Sequence, residues 1–308
     1  MNLTLRMYRN EEDYWRIRAF LRGVYLLNNR LEKSWQVYRF DYCRWHVFMN
    51  IVHYKLEEAV AIWETADGRV AGVVNPEGMG EIFIQAHPGY QTPELEEEMV
   101  EFAENNLAQP GPDGMRTLQI WAHEDDRIRR NILQGRGYKK SEWPEFQRRH
   151  PLSNIDYKPT IPPGYSVRSL GDKEELPARS MVSWRAFHPD APDNDYEGWD
   201  WYSNVQRAPL YRRDLDIVAV APEGELASFC TVWFDDVTRT GAFEPVGTAP
   251  TYQKMGLGKA VLAEGLNRLK HLGATLATVS SFTPPAHALY SSMGFNEYSL
   301  LEPWKVEL

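Results

Sequence analysis

Residues 244–260 read Glu-Pro-Val-Gly-Thr-Ala-Pro-Thr-Tyr-Gln-Lys-Met-Gly-Leu-Gly-Lys-Ala, and this stretch decides the fold. It reads as a strand, a turn at Pro250, and a glycine-bearing loop that opens a helix. Gln253, Gly256 and Gly258 set the pattern Q-x-x-G-x-G. A strand feeding a glycine-rich helix start is an anion cradle. The first helical N–H groups lack partners, the helix dipole is positive there, and glycines let the anion approach. The spacing is neither G-x-G-x-x-G nor G-x-x-x-x-G-K-[ST], so dinucleotide and nucleoside triphosphate fingerprints do not apply.

The stretch belongs to a plan that occurs twice. In the second half, strands are expected at 165–170, 217–221, 226–234, 242–248 and 274–280. Helices are expected at 172–186, 256–271 and 285–293, with a final pair of strands in 295–308. In the first half, strands are expected at 3–9, 59–63, 70–74, 81–86 and 117–121. Its helices are expected over the segment beginning at Glu11, the aromatic segment 30–54, 93–107 and 125–134, with a loop at 109–114. His87-Pro88-Gly89-Tyr90-Gln91 stands opposite Ala249-Pro250-Thr251-Tyr252-Gln253, and Gly137-Tyr138 opposite Gly294-Phe295. A proline-rich connection, 151–164, separates a first domain (1–150) from a second (165–308). A helix set between a meander and a further strand is α+β, mixed-sheet architecture rather than a doubly wound one.

A second motif lies downstream, Thr283-Pro284-Pro285-Ala286-His287-Ala288-Leu289-Tyr290-Ser291-Ser292-Met293-Gly294-Phe295. Together with the glycine loop it resembles the GCN5-related N-acetyltransferase (GNAT) superfamily, whose second pattern is N-x-x-A-x-x-L-Y-x-x-x-G-F. The resemblance covers the whole chain, strongly in the second half and weakly in the first. It is similar to the two-domain members, such as mycothiol synthases. It implies two tandem acyl-CoA N-acyltransferase folds, each a central, mostly antiparallel sheet flanked by helices. It also implies acetyl-CoA as cofactor, held by Val246, Gly247 and Thr248 along the pantetheine and by Gln253, Lys254, Met255, Gly256, Leu257, Gly258 and Lys259 at the pyrophosphate. Thr283 stands where the family often has Asn.

By the same resemblance Tyr290 protonates the departing thiolate. It also lies on an apolar stripe with Ala286, Leu289 and Met293, which reads equally as core. Glu244 is a carboxylate in an otherwise apolar strand, costly unless paired or working. It reads as the base that deprotonates an amine through water, or as a structural ion pair. Period-two alternation sets Ala242, Glu244, Val246 and Thr248 on one side. Pro245 cannot donate to a sheet ladder, which suits a strand that splays from its neighbour. Trp199, Asp200, Trp201 and Tyr202 mix carboxylate and rings as a pocket for a cationic amine would, or as a loop packed on its scaffold would. His188 and His287 have no metal-ligand company. Opposite Gly256, Gly258, Glu244 and Tyr290 the first half has Glu94, Glu96, Ile82 and Leu133, so it reads as catalytically silent.

The bulk numbers frame this reading. A net charge of −9 argues against a nucleic-acid partner. No apolar run reaches membrane-spanning length, and the first residues do not read as a signal peptide. The two cysteines, Cys43 and Cys230, make neither a metal motif nor a disulfide framework, which fits a reducing cytoplasm. The expectation is a cytoplasmic N-acetyltransferase, monomeric or homodimeric, in which a small-molecule amine attacks the acetyl thioester directly. The rival readings are a coenzyme-A-binding sensor without turnover, and a mycothiol-synthase-like or antibiotic-modifying enzyme.

Overall fold

The computed structural model describes residues 2–111, 114–152, 157–158 and 160–308. Residues 153–156 and 159 of the connection read over 151–164 therefore lie outside the described residues, as does part of the 109–114 loop. The chain forms two compact units. One comprises residues 1–147 with 299–308, the other 148–298.

In chain order the first unit builds β1 (Leu3–Met7), α1 (Glu11–Leu27) and α2 (Val37–Tyr42), which runs on as a π-helix over Cys43–Val52. Then come α3 (Leu56–Ala59), β2 (Ala61–Thr65), β3 (Val70–Gly78), β4 (Glu81–Ala86), α4 (Pro93–Asn106), β5 (Gln109–Pro110), β6 (Arg116–His123), α5 (Arg127–Gly135), β7 (Lys139–Lys140) and β8 (Glu145–Pro151). The second unit adds β9 (Ser166–Ser169), α6 (Leu176–Phe187), α7 (Asp200–Val205), β10 (Asp216–Val220), β11 (Leu226–Asp235), β12 (Thr240–Thr248), α8 (Leu257–His271), β13 (Leu276–Ser281) and α9 (Pro284–Ser292). The chain ends in β14 (Glu297–Glu307). The sequence reading expected a pair of strands at this end. The structure has one long strand, because from Thr117↔Glu307 to His123↔Leu301 it pairs continuously with β6.

Within each unit the strands run mostly antiparallel, as β1-β2-β3-β4-β6 and β9-β10-β11-β12-β13. The exceptions are the parallel pairs β4·β6 and β12·β13. Helix starts follow local chemistry. Asn10 caps α1, its Oδ1 accepting from Glu12 N–H at 3.0 Å, and three acidic residues fill the first turn where the dipole favours them. Thr92 caps α4 ahead of Pro93. The core of the second unit lies between the sheet and α8, with Val261, Leu262, Leu266 and Leu269 packed on Cys230, Val232, Phe243 and Val279. Gly265 is required there, since a Cβ would stand 2.5 Å from the Phe243 ring.

The repeat is registered closely, and the two units differ at one place in the middle of their central strands. In the first unit β3 and β4 pair Val74↔Ile84, Asn75↔Phe83 and Pro76↔Ile82 without a break. In the second, β11 and β12 pair Cys230↔Val246 and then Val232↔Phe243. Two residues, Glu244 and Pro245, thus face the single Thr231, which is a β-bulge. The extra residue shifts the correspondence, so Ile82 matches Phe243 and not Glu244. It also corrects the expected alternation. Phe243 and Val246 both pack toward α8, while Ala242 lies on the other face, because the bulge slips the pleat by one residue.

Candidate active site

The glycine loop carries the most legible geometry. A 3₁₀ turn over Pro250–Tyr252 is braced by the Tyr252 hydroxyl, which donates to Glu223 at 2.6 Å and Glu225 at 2.8 Å. Gln253 Nε2 reaches back to the Thr248 carbonyl at 3.4 Å. Lys254 and Gly256 then adopt left-handed φ of 62° and 86°, turning the chain into α8. Gly256 is the N-cap, and no side chain caps the helix. The first helical bond outside the α8 ladder runs from Ala260 N–H to the Gly256 carbonyl at 3.0 Å. Among the described residues the N–H groups of Leu257, Gly258 and Lys259 therefore keep their donors open, as a helix start does. Gly258 sits where β12, α8 and α9 meet. A Cβ there would meet Thr248 Oγ1 at 3.4 Å and Leu289 at 3.5 Å.

Beside the loop, the strands part. Pairing of β12 with β13 stops at Phe243↔Val279, so, among the described residues, 246–248 have no strand neighbour on that side. Ala249 N–H bonds Ala227 O at 3.0 Å. By antiparallel alternation Gly247 also faces β11, and the N–H groups of Val246 and Thr248 face the opening. Ser228 Oγ donates to Gly247 O at 2.8 Å and lies 2.8 Å from Thr248 Oγ1, which steadies this edge. The bulge itself is held by Trp233, whose indole N–H donates to the Glu244 carbonyl at 2.5 Å. A bulge leaves main-chain groups without ladder partners, and Pro245 has no N–H to offer, so this bond satisfies a group the ladder cannot. The Glu244–Pro245 peptide is cis.

Tyr290 packs in the same core, its ring edge-on to Phe295 at 6.2 Å. Its side chain is 6 % exposed. Burial raises the phenol's pKa above its ordinary value, and the nearby Glu244 carboxylate and Cys230 add to the effect. The group is a held proton at neutral pH. Thr283 is the N-cap residue of α9 and makes no capping hydrogen bond.

The acidic aromatic segment differs from expectation at one residue. Tyr202 is buried, and its hydroxyl donates to Asp216, which also takes Tyr211 at 3.0 Å and Arg179 Nε at 3.0 Å. Tyr202 belongs to a buried polar network and lines no open surface. Its alternation with exposed polar neighbours gave no sign of this. Trp199 and Trp201 are half-buried and Asp200 is exposed at the start of α7. His188 stacks on Trp184, and His287 Nδ1 lies 2.8 Å from Ser281 Oγ.

The first unit fills the equivalent places with its own side chains. Thr92 Oγ1 takes the Leu95 N–H at 3.3 Å, occupying a donor that α8 leaves open. Glu96, in the place of Gly258, is buried and paired with Arg129 at 3.0 Å. The splay beside β4 is closed by the segment before α2. Ser34 Oγ accepts from Ala86 N–H at 3.2 Å, Gln85 Oε1 accepts from Trp35 N–H at 2.7 Å, and Trp35 packs on Phe83 at 4.8 Å. Sequence reading found the lost glycines but not this plug. It also missed Trp233 and Ser228, which carry no motif.

Residues 178–295 match the model of the acetyltransferase (GNAT) family. The chain is 29% identical to a mycothiol acetyltransferase of Streptomyces coelicolor over 58% of each chain, so it spans less than two thirds of that relative's length. It is 25% identical to a mycothiol acetyltransferase of Salinispora tropica over 76% of this chain and 77% of the relative. Among solved structures it is similar to a tandem GNAT protein from the clavulanic acid biosynthesis pathway, with a TM-score of 0.67, 16% identity, and coverage of 99% of this chain and 98% of that one. That likeness shows the tandem, mixed α/β fold.

Proposed function

We propose, from the premise that residues 178–295 form an acetyltransferase domain of the GNAT family, that the chain transfers an acetyl group from acetyl-CoA to a primary amine of a small molecule. The observation that carries this reading is the uncapped start of α8, with open N–H groups at Leu257, Gly258 and Lys259. An anion fits the donors of such a helix start.

Val246, Gly247, Thr248 and the loop from Gln253 to Lys259 would hold the coenzyme, with Thr283 at its edge. The coenzyme supplies an activated acetyl thioester. Val246 N–H, facing the opening, is the donor for a carbonyl oxygen whose charge grows during transfer. Glu244, at the bulge, takes a proton from the incoming ammonium through water, since only the neutral amine is a nucleophile. Tyr290, kept protonated by burial, donates to the leaving sulfur. Cys230 is buried with its Sγ on the Val261 carbonyl at 3.3 Å, so no covalent acyl-enzyme is invoked. The mixed acidic and aromatic surface of Trp199, Asp200 and Trp201 suits a cationic acceptor. The mycothiol acetyltransferase relatives favour an amine on a small metabolite. The first unit, with its cradle capped and its splay plugged, serves as a scaffold.

The test is isothermal calorimetry with acetyl-CoA, followed by a panel of small amines with detection of released thiol. Binding with turnover of at least one amine supports the proposal. Tight binding without turnover of any amine favours a coenzyme-A sensor, and absence of binding removes both.

A further inference from the structure

The core on the α6 side of the second unit's sheet holds an ion pair that the proposed reaction does not use. Asp216, on β10, is fully buried. It accepts from Arg179 Nε of α6 at 3.0 Å, from the Tyr202 hydroxyl of α7, and from the Tyr211 hydroxyl at 3.0 Å. Tyr211 in turn accepts from Gln206 Nε2 at 2.9 Å. Burial pushes both phenols well above their ordinary pKa, so each stays a donor. Such a cluster is a poor way to stabilise a core. Well-packed apolar side chains of similar volume often do as well or better, and Arg179 Nη1 is buried with no hydrogen-bond partner among the described residues.

The neighbours of the cluster show what it does instead. Phe229, Thr231 and Trp233 alternate along β11 and face away from α8, whose side takes Cys230 and Val232. Every one of the three meets a point of β12 beside the opening. The Phe229 ring lies 2.5 Å from where a Cβ on Gly247 would stand. Thr231 is the residue that Glu244 and Pro245 face across the bulge. Trp233 donates its indole N–H to the Glu244 carbonyl at 2.5 Å. The cluster grips the same three residues from behind. The Arg179 guanidinium stacks on Phe229 at 3.9 Å and donates from Nη2 to Thr231 Oγ1 at 3.0 Å. Tyr211 packs edge-on against Trp233 at 6.2 Å. Both Arg179 and Tyr211 end on Asp216, two strands away from the bulge.

We propose that Asp216 is a positioning residue for acetyl transfer: through Arg179 and Tyr211 it fixes Phe229, Thr231 and Trp233, and through them the bulge that places Glu244 and Val246. The proposal rests on the acetyl-transfer reading. It adds that α6 and α7, which supply Arg179 and Tyr202, belong to the same clamp as the bulge, so the acceptor-side helices and the proton-transfer strand are set by one carboxylate.

The Trp233 indole N–H reports on this clamp without any acceptor. In the isotope-labelled full chain its magnetic resonance signal is identified by its loss in Trp233→Phe. Asp216→Asn keeps the side chain's shape and removes its charge. Tyr211→Phe keeps the ring on Trp233 and removes one bond to Asp216, and it carries the test should Asp216→Asn fail to fold. Both should shift the indole signal and speed its exchange with solvent roughly tenfold, the scale of one lost hydrogen bond to a charged group. Both should also lower kcat about tenfold for the best amine of the panel, while acetyl-CoA binds within about twofold of the wild type. Wild-type indole exchange or wild-type kcat in Tyr211→Phe overturns the proposal. A fall in melting temperature alone, or an equal loss of coenzyme binding and kcat, does so too, and makes Asp216 a core ion pair only. If acetyl-CoA does not bind the wild type, the acetyl-transfer reading falls first, and the indole signal still decides whether Asp216 holds the bulge.

Discussion

Replacing Gly258 by alanine separates what the fold needs from what the cofactor needs. A Cβ at this position meets Thr248 Oγ1 at 3.4 Å and Leu289 Cδ2 at 3.5 Å, which are ordinary contact distances. Gly258 lies inside α8 and is not among the residues with left-handed φ, so alanine adds no backbone strain. Relative to glycine, alanine favours a helix by up to about 1 kcal/mol, and less near a terminus. The expected change in unfolding midpoint is therefore between zero and a rise of about 2–4 °C for a unit of this size. Coenzyme A affinity should move the opposite way. The methyl group occupies space beside the open N–H groups, and losing one hydrogen bond to a charged group costs about 1.5–3 kcal/mol, or roughly 10- to 100-fold in Kd. Calorimetry and thermal unfolding on the same preparation read both quantities. Unchanged affinity at unchanged stability would refute the cradle. Gly256→Ala is the informative contrast, because φ of 86° makes it lose about 1–2 kcal/mol of stability as well.

Three further outcomes are expected. Tyr290→Phe keeps the packing of the ring on Phe295 and should lower kcat 10²–10⁴-fold while leaving coenzyme A affinity within about twofold, the scale of lost general-acid catalysis; equal loss of both would make Tyr290 a packing residue only. Trp233→Phe removes the indole donor to the Glu244 carbonyl, and should lower kcat about tenfold and shift the acid limb of the pH–rate profile; a fall in melting temperature with an unmoved profile would assign Trp233 to stability alone. His46 is held neutral by burial, its pKa pushed down to about 4, so protonation in the unfolded chain begins first. The folded pKa is depressed, so this stability is present above about pH 6.5 and is lost as pH falls toward 4, on the order of 3 kcal/mol. His46→Gln should flatten that part of the stability curve in urea titrations at stepped pH, and an identical slope would dismiss the assignment.

Much of the fold was legible because its signals are local. Asn10 ahead of an acidic first turn, Pro93 at a first helical turn and the apolar stripe of α8 each act over a few residues, and each helix formed where these signals place it. Gly256 and Gly258 were legible for the same reason. The place of Tyr157 was not, because its bonds to Asn267 span 110 residues.

What the sequence by itself determined was the repeat, the glycine-bearing helix start, and Tyr290 on a stripe beside it. Only tertiary structure decided how these are used. One inserted residue at Glu244–Pro245 is invisible to alternation, since a bulge exists only against a partner strand. It turns Val246 and Thr248 toward the opening and leaves the Glu244 carbonyl to an indole from β11. The matching opening in the first unit is shut by Ser34, whose hydroxyl takes the Ala86 main-chain N–H, and by Trp35, whose own N–H goes to the Gln85 side chain, each about 50 residues away in sequence. Hydrogen bonds across such separations depend on which strands and loops come together. That is set by packing, and no short-range pattern of residues encodes it.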